Sequence, residues 1–110
     1  MHRPDYEKQY PLQNWDWPLN AWAVVADRAV QLKCPASKYI RRVLCQESAT
    51  KYLDECASQT FEPGVSRSVF VRAKATIIKP ARARAKFLGL TWTAYVHRAV
   101  YWEIILRLLS

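Results

Sequence analysis

The chain has 110 residues, about half of them apolar, which is the usual size of one domain and enough to close a hydrophobic core. Seventeen Lys and Arg stand against nine Asp and Glu, a formal surplus of +8 that points toward a polyanionic partner. Only two glycines, no evenly spaced run of alternating strands, and no apolar run approaching the roughly 18 residues of a membrane span argue against a β-sandwich, a barrel or a transmembrane helix.

In chain order, Met1–Tyr10 is polar and lacks the apolar stretch of a secretion signal, so a cytoplasmic protein is expected. Leu12–Trp17 alternates and is closed by Pro18, which predicts a short strand. The helix after it buries a stripe of Trp22, Val25, Ala29 and Leu32. Lys33, Cys34 and Pro35 make a hinge, and because Pro35 needs no backbone donor in a first turn, a second helix is expected from Ala36 to Ala57. Residues 58–66, with Pro63 and Gly64, read as a connector.

A second strand is expected over Arg67–Ala73, where Val69 and Val71 alternate. Pro80 inside a helix would lose a hydrogen bond and clash with the preceding turn, so the next helix is expected to start near Lys79, with Ile78, Ala81, Ala85 and Leu88 on its buried stripe. Gly89 can supply the left-handed residue that ends it, and Thr91 a hydroxyl to cap the helix that follows. That helix runs from Trp92 to Leu109, with Tyr95, Val96, Ala99, Val100, Glu103 and Leu106 at three- and four-residue spacing.

Shifted by 56 residues, positions 28–53 match positions 84–109 without a gap, with seven identities in 26 positions: Arg28/Arg84, Ala29/Ala85, Leu32/Leu88, Tyr39/Tyr95, Arg42/Arg98, Glu47/Glu103 and Leu53/Leu109. The expected fold is therefore mainly α with a short two-stranded antiparallel β-ribbon, built from two strand–helix–helix repeats that form a single-chain pseudo-dimer. The repeats span 12–57 and 67–110 within one domain, 1–110. Charge divides unevenly, since residues 56–110 hold nine basic and two acidic side chains against eight and seven before them.

The segments "RAKFLGLTWTAYVHRAV" (Arg84 to Val100) and "QNWDWP" (Gln13 to Pro18) resemble the helix, Gly, cap, helix signature and the strand-then-Pro of the ribbon-helix-helix family of Arc and MetJ type. The tandem arrangement is similar to the TraY-type accessory proteins of conjugation relaxosomes. The resemblance implies sequence-specific binding of double-stranded DNA, with the ribbon in the major groove, as a transcriptional regulator or a plasmid-transfer accessory protein.

Alternation places Gln13, Trp15 and Trp17 toward the core with Val69, Val71 and Ala73, and turns Leu12, Asn14, Asp16, Ser68, Phe70 and Arg72 outward. Candidate base contacts are Asn14 to adenine, Arg72 to guanine, Phe70 to a thymine methyl, Asp16 to cytosine, and Ser68. Asp16 has a second reading, as a partner of Arg72 across the ribbon. The same six side chains also suit any solvated strand face, and a register slip of one residue would exchange the two faces. Candidate phosphate contacts are Ser37, Lys38, Lys74, Thr91 and Thr93, at or beside helix starts. Because the halves differ in charge and hinge, an asymmetric DNA site is expected.

Lys79, Arg82, Arg84 and Lys86 read as a solvated helix face, Trp92 as the exposed tryptophan, His97 as a surface residue, and Cys34, Cys45 and Cys56 as reduced, mostly buried fillers. No nucleophile–base pair, metal-ligand cluster, paired carboxylates or phosphate-cradling glycine loop stands out, so neither an enzyme, a cofactor nor a metal is expected. The second function class kept open is a protein-interaction module, an antitoxin or adaptor docking through the apolar "YWEIILRLLS", with self-association on DNA compatible with either.

Overall fold

In the computed structural model, residues 4–45, 60–107 and 109 are described. A six-residue helix α1 (Pro4–Gln9) precedes strand β1 (Leu12–Pro18), helix α2 (Leu19–Gln31) and helix α3 (Ala36–Cys45); strand β2 (Ser66–Arg72), helix α4 (Ala75–Phe87) and helix α5 (Trp92–Leu106) complete the chain. The strands pair antiparallel, with Leu12 opposite Arg72, Asn14 opposite Phe70, Asp16 opposite Ser68 and Pro18 opposite Ser66. Pro18 ends the ladder because it has no N–H to donate, and the next residue's amide turns away to the carbonyl of Val65 at 2.8 Å.

One face of the ribbon is sealed. Gln13, Trp15, Trp17, Val69 and Val71 are buried, while Leu12, Asn14, Asp16, Ser68 and Phe70 stay exposed. The inward indoles meet Val25, Tyr39, Val96 and Val100 in a single core to which β1, β2 and the four longer helices all contribute. Helix α2 buries Ala21, Val25, Arg28 and Ala29, α4 buries Ile78, Ala81 and Ala85, and α5 buries Tyr95, Val96, Ala99, Val100 and Glu103, which is helical spacing in each case.

The hinges share one geometry. After α2, Lys33 takes a φ of 57° and the amide of Cys34 reaches the carbonyl of Ala29 at 3.1 Å; after α4, Gly89 takes 72° and the amide of Leu90 reaches Ala85 at 2.9 Å. Both close the orphan carbonyls of a helix end in the left-handed way that glycine favours, and Lys33 carries a steric penalty of about 1–2 kcal/mol that Gly89 avoids. Thr91 accepts the amide of Ala94 at 3.1 Å and caps α5.

The expectation of two strand–helix–helix repeats forming a single-chain pseudo-dimer is corrected. The molecule is mainly α around one two-stranded antiparallel sheet, with a single pair of strand–helix units, β1–α2 and β2–α4, rather than two equivalent repeats. A lone strand leaves its ladder groups unpaired, so the halves share one sheet and one core. Helix α1, which packs on α4, has no equivalent among the described residues. Residues 46–57, expected to continue the helix after Cys45, lie outside the described residues, as does Glu47 of the matched pair Glu47/Glu103.

Two helix ends also differ from expectation. Helix α4 starts at Ala75 and runs through Pro80. Pro80 and Thr76, the residue four before it, are both exposed, so water can take the carbonyl that the missing N–H leaves unpaired. Two amides, Ile77 and Ile78, converge on the Lys74 carbonyl at 2.9 and 3.0 Å and start the helix early. Helix α5 stops at Leu106, where Arg107 turns left-handed with a φ of 53°. No helix among the described residues is long and apolar enough to cross a membrane.

Candidate nucleic-acid interface

The outward face of the ribbon presents side chains from both strands on one twisted surface. Phe70 is 60% and Leu12 51% exposed, and neither packs into the core. Asn14 lies opposite Phe70 at the centre of the ribbon, and Asp16 lies opposite Ser68, whose hydroxyl donates to its carboxylate at 3.0 Å. Asp16 therefore has Ser68 as its cross-ribbon partner; the alternative pairing with Arg72 does not form, because Arg72 stands at the far end of the ribbon opposite Leu12.

Arg72 is half-buried and tied back toward α1. Its Nη1 donates to the carbonyl of Tyr10 at 2.9 Å, and its guanidinium lies 5.6 Å from the ring centre of Tyr6. Its own carbonyl accepts from Arg41 Nη1 at 3.0 Å. The five base-contact candidates thus share a face, with Asn14, Asp16, Ser68 and Phe70 open to solvent and Arg72 held at one end by neutral acceptors.

Ser37 is half-buried in the first turn of α3 beside exposed Lys38, and exposed Lys74 stands at the amino end of α4, close to the Arg72 end of the ribbon. Exposed Thr91 and half-buried Thr93 sit at the amino end of α5, where the Thr91 hydroxyl is already engaged as a cap. The phosphate-contact candidates fall into two groups, one beside α3 and α4 and one at α5.

The sealed face is held by chemistry that alternation alone does not disclose. Gln13 is 4% exposed, and its Oε1 accepts from Arg82 Nη2 and from Trp92 Nε1, both at 3.0 Å, while its Nε2 donates to the Pro11 carbonyl at 3.3 Å. A buried amide without partners would cost free energy, so Gln13 fixes β1 against α4 and α5. The same contacts overturn the reading of Trp92 as exposed, since its half-buried ring lies under Arg82 at 5.0 Å and beside Trp15 at 5.9 Å. His97 is likewise half-buried rather than superficial, 4.3 Å from the Trp17 ring, and burial lowers its pKa against the smaller opposing pull of the Asp16 backbone. Lys79, Arg82 and Lys86 are exposed and Arg84 half-buried. Cys45 is an exposed thiol and Cys34 a half-buried one, while Cys56 lies outside the described residues.

Beneath the interface, Arg28, Tyr39 and Glu103 meet between the halves. Arg28 Nε and Nη2 donate to the two Glu103 carboxylate oxygens at 3.0 and 2.8 Å, the Tyr39 hydroxyl donates to Oε1, and the Leu109 amide to Oε2 at 3.0 Å. Glu103 is fully buried. Burial alone would raise its pKa, but the donors from Arg28, Tyr39 and Leu109 outweigh it and hold the carboxyl below the usual carboxylate range. Burial pushes the Tyr39 hydroxyl far above its usual value, with the Glu103 hydrogen bond adding to it. The identities at 28, 39 and 103 had marked a repeat in the sequence; in space these three residues build one joint.

Among the described residues, no group of three or more His, Cys, Asp or Glu stands together as metal ligands. Compared with family models, curated proteins and solved structures, the chain matches none, so neither the ribbon-helix-helix family nor any other is assigned by similarity.

Proposed function

We propose that the chain binds double-stranded DNA, with the outward ribbon face in the major groove and with Asn14, Phe70, Ser68 and Asp16 meeting base edges. The observation that carries this reading is a two-stranded antiparallel ribbon whose inner face buries Gln13, Trp15, Trp17, Val69 and Val71 and whose outer face exposes Leu12, Asn14, Asp16, Ser68 and Phe70. A ribbon of this width fits the major groove, and a formal charge of +8 supplies the attraction to phosphate. The reading keeps the resemblance to ribbon-helix-helix proteins as an analogy. It is that of a cytoplasmic regulator or plasmid-transfer accessory protein rather than an enzyme, and the free thiols of Cys34 and Cys45 suit a reducing compartment.

Gel-shift titration against a randomised duplex pool, repeated across salt concentrations, tests it. Affinity is expected to fall steeply with salt, and Asn14→Ala and Phe70→Ala to relax the selected sequence. Salt-insensitive binding, or a selected sequence unchanged by both substitutions, would sink the ribbon reading. Exposed Ile105, at 54%, and Leu106 on the last turn of α5 support the second reading, a protein partner at that helix end. Light scattering distinguishes the two: association abolished by Ile105→Ser without DNA favours the partner surface.

A further inference from the structure

A groove of about 830 Å³ opens beside the Arg72 end of the ribbon, between α1, the length of α3 and the start of α4. Five of its lining side chains are cationic: Lys38, Arg41, Arg42, Arg72 and Lys74. Tyr6 and Tyr10 close its other side, and no carboxylate lines it among the described residues. Among the described residues the salt bridge Arg28–Glu103 joins two residues that do not line the groove, and none is formed by Lys38, Arg41, Arg72 or Lys74. Arg41 and Arg72 are nevertheless fixed in place, each by a backbone carbonyl, which orients a guanidinium without neutralising it.

Like charges are not gathered into one concave surface without cost, because each cation raises the free energy of the others. Four of the five cations are confined to this side. At the positions 56 residues away, Lys38 is replaced by Ala94, Arg41 by His97, Arg72 by Asp16 and Lys74 by Pro18, while Arg42 meets Arg98. A general need for solubility would not concentrate the charge at one end of the ribbon.

We propose that this groove is a seat for phosphate oxyanions, filled by the backbone of bound duplex DNA flanking the ribbon or by a free phosphorylated ligand. Guanidinium groups offer paired donors to phosphate oxygens, and the two lysines add point charges. The DNA form of the proposal rests on the ribbon reading above; the phosphate chemistry does not. It further implies that DNA is gripped more strongly at the Arg72 end of the ribbon than at the Asp16 end.

The test uses the full chain and the double variant Lys38→Ala/Lys74→Ala, whose side chains are exposed, with circular dichroism to verify the fold. Expected for the variant is weaker binding to preferred and random duplex by a similar factor, with the slope of log affinity against log salt shallower by about one to two. Inorganic pyrophosphate, added without DNA, is expected to shift the amide resonances of residues 38–42 and 72–74 in the parent chain and not in the variant. If the parent binds no duplex but pyrophosphate still moves those amides, the groove takes a free phosphorylated ligand and the ribbon reading alone falls. If the parent binds duplex, the variant keeps the parental salt slope and pyrophosphate moves nothing, then the groove proposal is overturned while the ribbon reading stands.

Discussion

The joint beneath the ribbon and the face above it are both polar, yet they answer to opposite constraints. At the joint, Arg28, Tyr39, Glu103 and the Leu109 backbone leave no exposed carboxylate, and each oxygen of Glu103 accepts two hydrogen bonds. On the outward face, Asn14, Asp16, Ser68 and Phe70 are exposed, and the Ser68–Asp16 hydrogen bond is the cross-strand side-chain contact seen there. A buried charge must be matched where it sits, so the joint tolerates little change. An exposed strand face has water as an alternative partner, so its residues are free to be chosen for a ligand. Stability and the proposed recognition thus fall on different residues.

The largest effect is expected from Glu103→Ala. It strands the Arg28 guanidinium and the Tyr39 hydroxyl inside the protein, and breaking such a pair costs about 3–5 kcal/mol. Urea denaturation reads this directly. A loss below about 1 kcal/mol would mean that the joint is not matched in the way described.

Acid should weaken the fold in two steps. The folded pKa of His97 lies below its ordinary 6.5 because burial disfavours the imidazolium. As pH falls through that window the unfolded chain takes up a proton that the folded chain refuses, and stability declines. Glu103 is held below its ordinary 4.5, so its contribution is present above that value and is lost as pH falls toward the folded one. His97→Gln is expected to flatten the first limb of a stability–pH curve and leave the second. An unchanged first limb would place the titration elsewhere.

On the outer face the expected effect moves from stability to binding. Asn14→Ala should cost about 1–3 kcal/mol of affinity for the preferred duplex, as loss of one good base contact does, and change unfolding free energy by no more than about 0.5 kcal/mol. Equal losses in a titration and a denaturation curve would show that Asn14 supports the fold instead.

The sorting of the ribbon faces was legible because a strand alternates with period two and the large apolar side chains all fell on one parity, Trp15 and Trp17 with Val69 and Val71. The hinge at Gly89 and the cap at Thr91 were legible from local chemistry. What misled was the equal weight given to shared identities. Arg28, Tyr39 and Glu103 read as marks of two matching units, whereas tertiary contact joins them across the halves, a relation that no local pattern encodes. Pro80 misled for a related reason: the carbonyl it leaves unpaired belongs to exposed Thr76 in the first turn of α4, where water can replace the lost hydrogen bond. Gln13 was visible only as a polar residue at an inward position. Such a residue demands partners, and asking which side chains could reach it would have drawn Arg82 and Trp92 inward.

The smallest expected effect is the most exacting for the comparison. Phe70 is a large aromatic at the centre of a strand, and a residue of that kind in a core would lose about 3–5 kcal/mol on truncation to alanine. Here 60% of its surface already meets water, and its cross-strand neighbour is Asn14. Its removal gives back little buried area and leaves no cavity, so Phe70→Ala should shift unfolding free energy by about 0.5 kcal/mol or less. Truncating Trp15, its neighbour's strand partner on the sealed face, should cost the full core amount. Parallel denaturation of the two variants measures the ratio. Similar losses would mean that Phe70 is covered in solution, by a second copy or another part of the chain, and the outer face would then be an interface of the protein with itself before it is one with DNA.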